Sequence, residues 1–176
     1  QVFGENGGPG GLFHSLRVIP PILDICEDVM KICPNAYFIN FSNPMSRICL
    51  AIKRKFPKLK FVGLCHELFH FIIHFARILN TDISDLEIIA GGLNHFGVVL
   101  EIKYKDTRKD AYPEIRNKGL SYLDGLDNLD VDLNKYILQK YGYIPYTTDS
   151  HFGEYIQWAW EIADITGIKE FRDTYM

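Results

Sequence analysis

At 176 residues, with 47% hydrophobic and 23% charged side chains, the sequence is long enough for one globular core or two unequal lobes. A net charge of −3 without a basic stripe argues against a nucleic-acid partner, and no apolar run approaches the roughly 20 residues of a membrane helix. No signal peptide is visible, and Cys26, Cys33, Cys49 and Cys65 lack paired zinc-ribbon spacing, which suits a reducing cytoplasm better than a disulfide framework.

The chain opens on the glycine-rich run Gly4-Glu5-Asn6-Gly7-Gly8-Pro9-Gly10-Gly11, which is neither a G-x-G-x-x-G after a strand nor a P-loop. Leu12, Leu16, Ile19, Leu23, Cys26, Val29, Met30 and Cys33 then recur at helical spacing, with Pro20-Pro21 expected to bend or divide the helix. Burial is the default for Cys26, Cys33 and Cys49. Ala36 to Phe41 reads as a strand buried on both faces, and Pro44 is placed to begin a second helix.

A second strand, Lys60-Phe61-Val62-Gly63, leads to Leu64-Cys65-His66, where the next amphipathic run begins. Strand, helix, strand, helix is the pattern of a doubly wound parallel sheet, whose ligands bind beyond the carboxyl ends of its strands. Asn43 and Cys65 fall at that edge and are expected to be neighbours. Read from its histidine, His66-Glu67-Leu68-Phe69-His70 also spells H-E-x-x-H, so a zinc hydrolase using His66, Glu67 and His70 is an alternative. His70 and His74, at helical spacing, also suit one side of a plain structural helix.

That helix is expected to end near Asn80, before two strands between Leu86 and Tyr104 broken at Gly91-Gly92-Leu93-Asn94-His95. Asp106 to Asp132 is mostly polar and reads as a solvated excursion with short helices. Leu133 to Tyr141 is helical and stops at Gly142, and a polar loop from Pro145 to His151 precedes an aromatic helix with Tyr155, Trp158 and Trp160.

Five motifs in order, namely the glycine-rich opening with Ser15-Leu16-Arg17, then Asn43-Pro44-Met45, Gly63-Leu64-Cys65-His66, Gly92-Leu93-Asn94-His95 and Tyr141-Gly142-Tyr143-Ile144-Pro145, resemble glycoside hydrolase family 4. The resemblance runs from Gly4 to about Tyr155. It implies a cytoplasmic, homo-oligomeric glycosidase that needs NAD and a divalent metal, usually Mn2+, and acts on a small-molecule glycoside of the α-galactosidase, α-glucosidase or α-galacturonidase branch. It is an exception to the two-carboxylate scheme of glycosidases.

Carried over residue by residue, the resemblance implies Cys65 and His95 as metal ligands and Asn43 and Asn94 as substrate contacts. It implies His66 as the proton donor and Asp149 as the base that removes the sugar's C2 proton; a turn or N-cap aspartate is the plain alternative for Asp149. His151 and Glu154, one turn further on, either line the site or cap and solvate. The implied fold is α/β: residues 1–84 form the second half of a Rossmann-type doubly wound sheet and residues 85–176 the start of an α+β catalytic domain. The chain is expected to be an internal piece of a longer protein, without the strand and glycine fingerprint that hold the dinucleotide. A catalytically silent α/β binding module is the third reading.

Overall fold

The computed structural model describes residues 6, 8–126 and 130–162; Gly4, Glu5 and Gly7 of the glycine-rich opening lie outside the described residues. The chain folds as two compact units, one running to Cys65 and one from His66 onward. It is an α/β protein, and among the described residues no helix is long and apolar enough to cross a membrane.

The first unit contains α1 (Gly8–Ile32), β1 (Tyr37–Asn40), α2 (Met45–Lys55) and β2 (Lys60–Gly63). β1 and β2 pair in parallel from Tyr37↔Lys60 to Asn40↔Gly63. Parallel neighbours need a crossover, which α2 supplies. Cys26, Ile48, Ile52 and Leu59 form the centre of the core, with Ile22, Leu23 and Phe38 packed around them. At Gly63 an added Cβ would stand 2.5 Å from Cys49 Sγ and 2.9 Å from Met45 Cγ, so glycine is what lets α2 lie this close to β2.

Three expectations meet a different outcome here. α1 is undivided through Pro20 and Pro21; the carbonyls deprived of donors belong to Leu16 and Arg17, both exposed residues, so the missing N–H groups carry no burial cost. The strand expected to be buried on both faces is largely open, with Tyr37, Ile39 and Phe41 exposed and only Asn40 buried. Among the described residues β1 pairs with β2 alone, so side chains that a wider sheet would cover remain uncovered. Cys33 is exposed rather than buried because α1 ends one residue before it; Cys26 is fully buried, and burial pushes its thiol pKa up.

The second unit begins with α3 (Glu67–Leu79), closed by Asn80 in the left-handed region at φ 51°. β3 (Leu86–Leu93) and β4 (Phe96–Tyr104) form an antiparallel hairpin with a bulge at Ile89/Ala90. The strands pair through Gly91 and Gly92, so the break anticipated there shrinks to the turn Asn94-His95. α4 (Tyr112–Asp124) and α5 (Asp132–Tyr141) come next, and Gly142 ends α5 at φ 72°. Phe71, Phe75, Ile78 and Leu79 of α3 share one core with Val99, Ile102, Ile115 and Ile144. That packing joins α3 to the hairpin and the later helices, so the compact division falls at Cys65/His66 rather than at residue 84.

The excursion from Asp106 contains a full 13-residue helix, α4, which buries Tyr112, Ile115, Gly119 and Leu123. Their spacing of three and four is a helical stripe, hidden in sequence because one of its members is glycine. Residues 127–129 of that stretch lie outside the described residues. The aromatic helix is replaced by a short α6 (Asp149–Phe152) and two 3₁₀ turns, Gly153–Tyr155 and Ala159–Glu161.

His74 is buried on α3 with Nδ1 2.9 Å from the Tyr122 hydroxyl, the structural role its spacing suggested. Burial, with Arg77 and His70 nearby, holds its pKa below the ordinary imidazole value. The unfolded chain therefore takes up this proton first as pH falls, so stability is highest above about pH 6.5 and declines below it toward the folded pKa. Urea midpoints at pH 7.5 and pH 5 should show a smaller acid-induced loss for His74→Gln than for the wild-type protein.

Candidate functional site

β1 and β2 end side by side, and Leu64 N donates to Asn40 O at 2.9 Å just past the pairing. The parallel register sends the chain toward Asn43 and Cys65 beyond the same carboxyl edge, as a doubly wound sheet requires. Asn43 precedes a cis peptide bond to Pro44, and its Oδ1 accepts from Met45 N at 3.3 Å. Arg47 secures the entry to α1 in the same unit, donating to Ser15 Oγ at 3.1 Å and to Asn6 O at 2.6 Å. Cys65 is half-buried.

In the second unit the tight β3–β4 turn carries Asn94 and His95, with His95 in the left-handed region at φ 63°. Two tyrosine hydroxyls clamp this turn: Tyr146 donates to Leu93 O at 2.8 Å and Tyr155 to Asn94 O at 3.0 Å. Gly97 makes room for the first, since a Cβ there would meet Tyr146 Cε1 at 2.4 Å. His95 is 2% exposed, and its ring centroid lies 4.2 Å from that of His151. Burial first, then the neighbouring His151, hold the His95 pKa down to about 4 against the opposing pull of Glu67. The imidazole is thus neutral near pH 7. Beside it, Asn94 Nδ2 is buried without a hydrogen-bond partner.

His66 and Glu67 open α3. His66 is exposed, with Nε2 3.3 Å from Glu67 Oε1, while Glu67 is buried and accepts from Thr147 Oγ1 at 2.6 Å. His151 Nε2 lies 3.7 Å from the same Oε1. The H-E-x-x-H alternative is not formed: the glutamate that should activate water is buried against Thr147, and among the described residues no group of three or more His, Cys, Asp or Glu is arranged to hold a metal.

Asp149 takes the capping alternative, for a helix that is not its own. Its Oδ2 accepts from Leu133 N at 2.6 Å, and its Oδ1 accepts from Asn134 N at 3.0 Å and Asn134 Nδ2 at 2.8 Å. These are first-turn donors of α5, whose own N-cap residue, Val131, offers no side-chain bond. Asp149 is 1% exposed, and burial pushes its carboxyl pKa up against the downward pull of the three hydrogen bonds. The structure thus gathers His66, Glu67, Thr147, His95 and His151, with Asn94 next to His95 in the hairpin turn. Sequence reading gave no role to Glu67 or Thr147 in this reaction; a polar pair 80 residues apart leaves no local pattern to find.

A parallel βαβ unit and a separate antiparallel hairpin presenting a buried histidine define the class: an α/β protein. The model for the Family 4 glycosyl hydrolases matches residues 1–81. An alpha-glucosidase of Erwinia rhapontici is 47% identical over 99% of this chain, which covers 46% of that protein. An alpha-galactosidase of Bacillus subtilis (strain 168) is 31% identical over 88% of this chain and 35% of that protein. A solved 6-phospho-alpha-glucosidase from gut microorganisms, in complex with NAD and Mn2+, has a TM-score of 0.72 at 23% identity, covering 88% of this chain and 37% of that one, a likeness of fold. The chain belongs to glycosyl hydrolase family 4. It spans less than half the length of these relatives.

Asp149→Asn should destabilise the fold, because an amide cannot accept at both positions and its NH2 would face a buried donor of α5. The expected loss is about 1–3 kcal/mol, measured by chemical denaturation. Unchanged stability would remove the capping role.

Proposed function

We propose that the whole protein is a cytoplasmic glycosidase of this family, acting on an unphosphorylated α-glucoside with NAD and a divalent metal such as Mn2+. The observation that carries the reading is His95: a buried imidazole kept neutral, in the same turn as the open Asn94 Nδ2 donor. The name of the 47% identical relative supports the α-glucoside.

A thiolate and a neutral imidazole are fitting ligands for a borderline divalent cation, and Cys65 and His95 are the proposed pair. Two protein ligands leave coordination positions to water and sugar hydroxyls, as a catalytic site needs. When bound, NAD would supply hydride acceptance at C3 of the sugar and its later return, and the metal would supply polarisation of the adjacent sugar oxygens, which acidifies the C2 proton for transfer to Asp149. Asn94 donates its free amide hydrogen to a sugar oxygen, and Asn43 contacts the sugar from the strand-end side. His66, exposed at the start of α3, delivers the proton that the departing alkoxide requires. Asp149 is the proposed acceptor of the C2 proton, and the hydrogen bonds that its carboxylate accepts from α5 also hold the loop bearing Thr147 and His151.

The test is hydrolysis of an α-glucoside by the complete protein in D₂O, with and without NAD and Mn2+. The product sugar should carry deuterium at C2, and omission of NAD should abolish turnover. Hydrolysis that needs no NAD and leaves C2 unexchanged would place the enzyme with the ordinary two-carboxylate glycosidases.

A further inference from the structure

The reaction proposed above leaves Glu67 without a role, although its surroundings are elaborate. It sits in the first turn of α3 and is 7% exposed. A buried carboxylate is costly unless neighbouring donors compensate it. Thr147 Oγ1 supplies one, donating to Oε2 at 2.6 Å, while His66 Nε2 and His151 Nε2 face Oε1 at 3.3 and 3.7 Å, within electrostatic reach. On its other side His151 Nδ1 is 3.2 Å from Ser150 Oγ, which is 3.1 Å from Thr148 Oγ1.

One proton arrangement suits all of these contacts. The Thr148 hydroxyl donates to Ser150, Ser150 donates to His151 Nδ1, and His151 keeps its hydrogen on Nε2, facing the carboxylate. The Thr147 hydroxyl donates to Glu67 Oε2, and His66 Nε2 faces Oε1. His66 gains most from this, because its side chain is 79% exposed and would otherwise be free to change rotamer.

We propose that Glu67 is a positioning residue: its carboxylate fixes the orientation of His66, the proton donor of the proposed reaction, and fixes the orientation and tautomer of His151 beside it. This rests on the glycosidase reading. A carboxylate suits the task because it accepts from several directions at once, with one oxygen toward the imidazoles and the other toward Thr147.

The complete protein, with NAD and Mn2+, is assayed on methyl and 4-nitrophenyl α-glucosides. Methoxide must be protonated as it leaves, whereas 4-nitrophenolate departs without help, so a fault in proton delivery shows on the first substrate alone. For Glu67→Ala, kcat on the methyl glycoside should fall about 10- to 100-fold with KM unchanged, while the 4-nitrophenyl glycoside changes less than about threefold. Glu67→Gln, which keeps the size and part of the hydrogen bonding, should recover some of the loss. Nitrogen-resolved NMR of the imidazoles should show a single Nε2–H tautomer for His151 in the wild-type protein and an average of both tautomers in Glu67→Ala. Equal losses on the two glycosides, or no loss, would overturn the positioning role. A wild-type protein inactive on both would instead overturn the glycosidase reading and this inference with it. If Glu67→Ala does not fold, Thr147→Val decides: it removes one donor to the carboxylate and should give the same selectivity at smaller size, and its absence would equally overturn the proposal.

Discussion

The Asp149 carboxylate on the first turn of α5 is the interaction on which the second unit's site depends. A helix begins with N–H groups that have no intrahelical acceptor, and inside a protein they must be satisfied from elsewhere. Here Leu133 N and Asn134 N are met by a side chain from beyond the helix's far end. A negative charge at a helix N-terminus is also favoured by the helix dipole. Asn134 returns the connection by donating to Thr147 O at 2.9 Å, and Asp149 N donates to Asp130 O at 2.9 Å. Residues 147–149 are thus tied down on both sides, which is why Thr147 and His151 meet Glu67 in a defined geometry.

The Tyr112 hydroxyl does comparable work for the strand beside that loop. It donates to Val99 O at 2.6 Å and accepts from Ile144 N at 3.1 Å, joining β4 to the segment that enters the loop. Burial pushes its pKa up to about 12, so the hydroxyl keeps the proton it donates. Val99 N donates to Ile144 O at 2.9 Å, completing the seam. With the loop fixed at both ends, Tyr146 and Tyr155 reach the hairpin turn and hold the two carbonyls that precede His95.

Membership of the family and its fold class were legible because their signals are local. Cys65-His66 follows a short apolar strand, Asn94-His95 sits in a turn marked by glycine, and the order of such motifs along the chain is specific. The ends of α3 and α5 were equally plain, since Asn80 and Gly142 take the left-handed conformation that stops a helix. Elsewhere local pattern misled. The apolar run from Tyr37 to Phe41 describes a strand that a broad sheet would bury, but it carries no information on how many neighbours the strand has in this chain. The stripe of α4 was missed because Gly119, packed 3.0 Å from Leu138 Cδ2 when given a Cβ, is buried for its smallness rather than its hydrophobicity.

What the sequence determined by itself was the set of elements, their order and the reactive residue types at their ends, because periodicity, glycine and proline act over a few residues. Only the tertiary structure decided how those residues are used. Glu67 reads as a zinc-hydrolase base in its five-letter motif, yet the fold turns it toward Thr147 and His151. Asp149 reads as the base or as a turn or N-cap aspartate, and only the fold shows that its carboxylate accepts hydrogen bonds from the first turn of α5. Burial and long-range hydrogen bonding set both outcomes, and neither leaves a trace within reach of a sequence window.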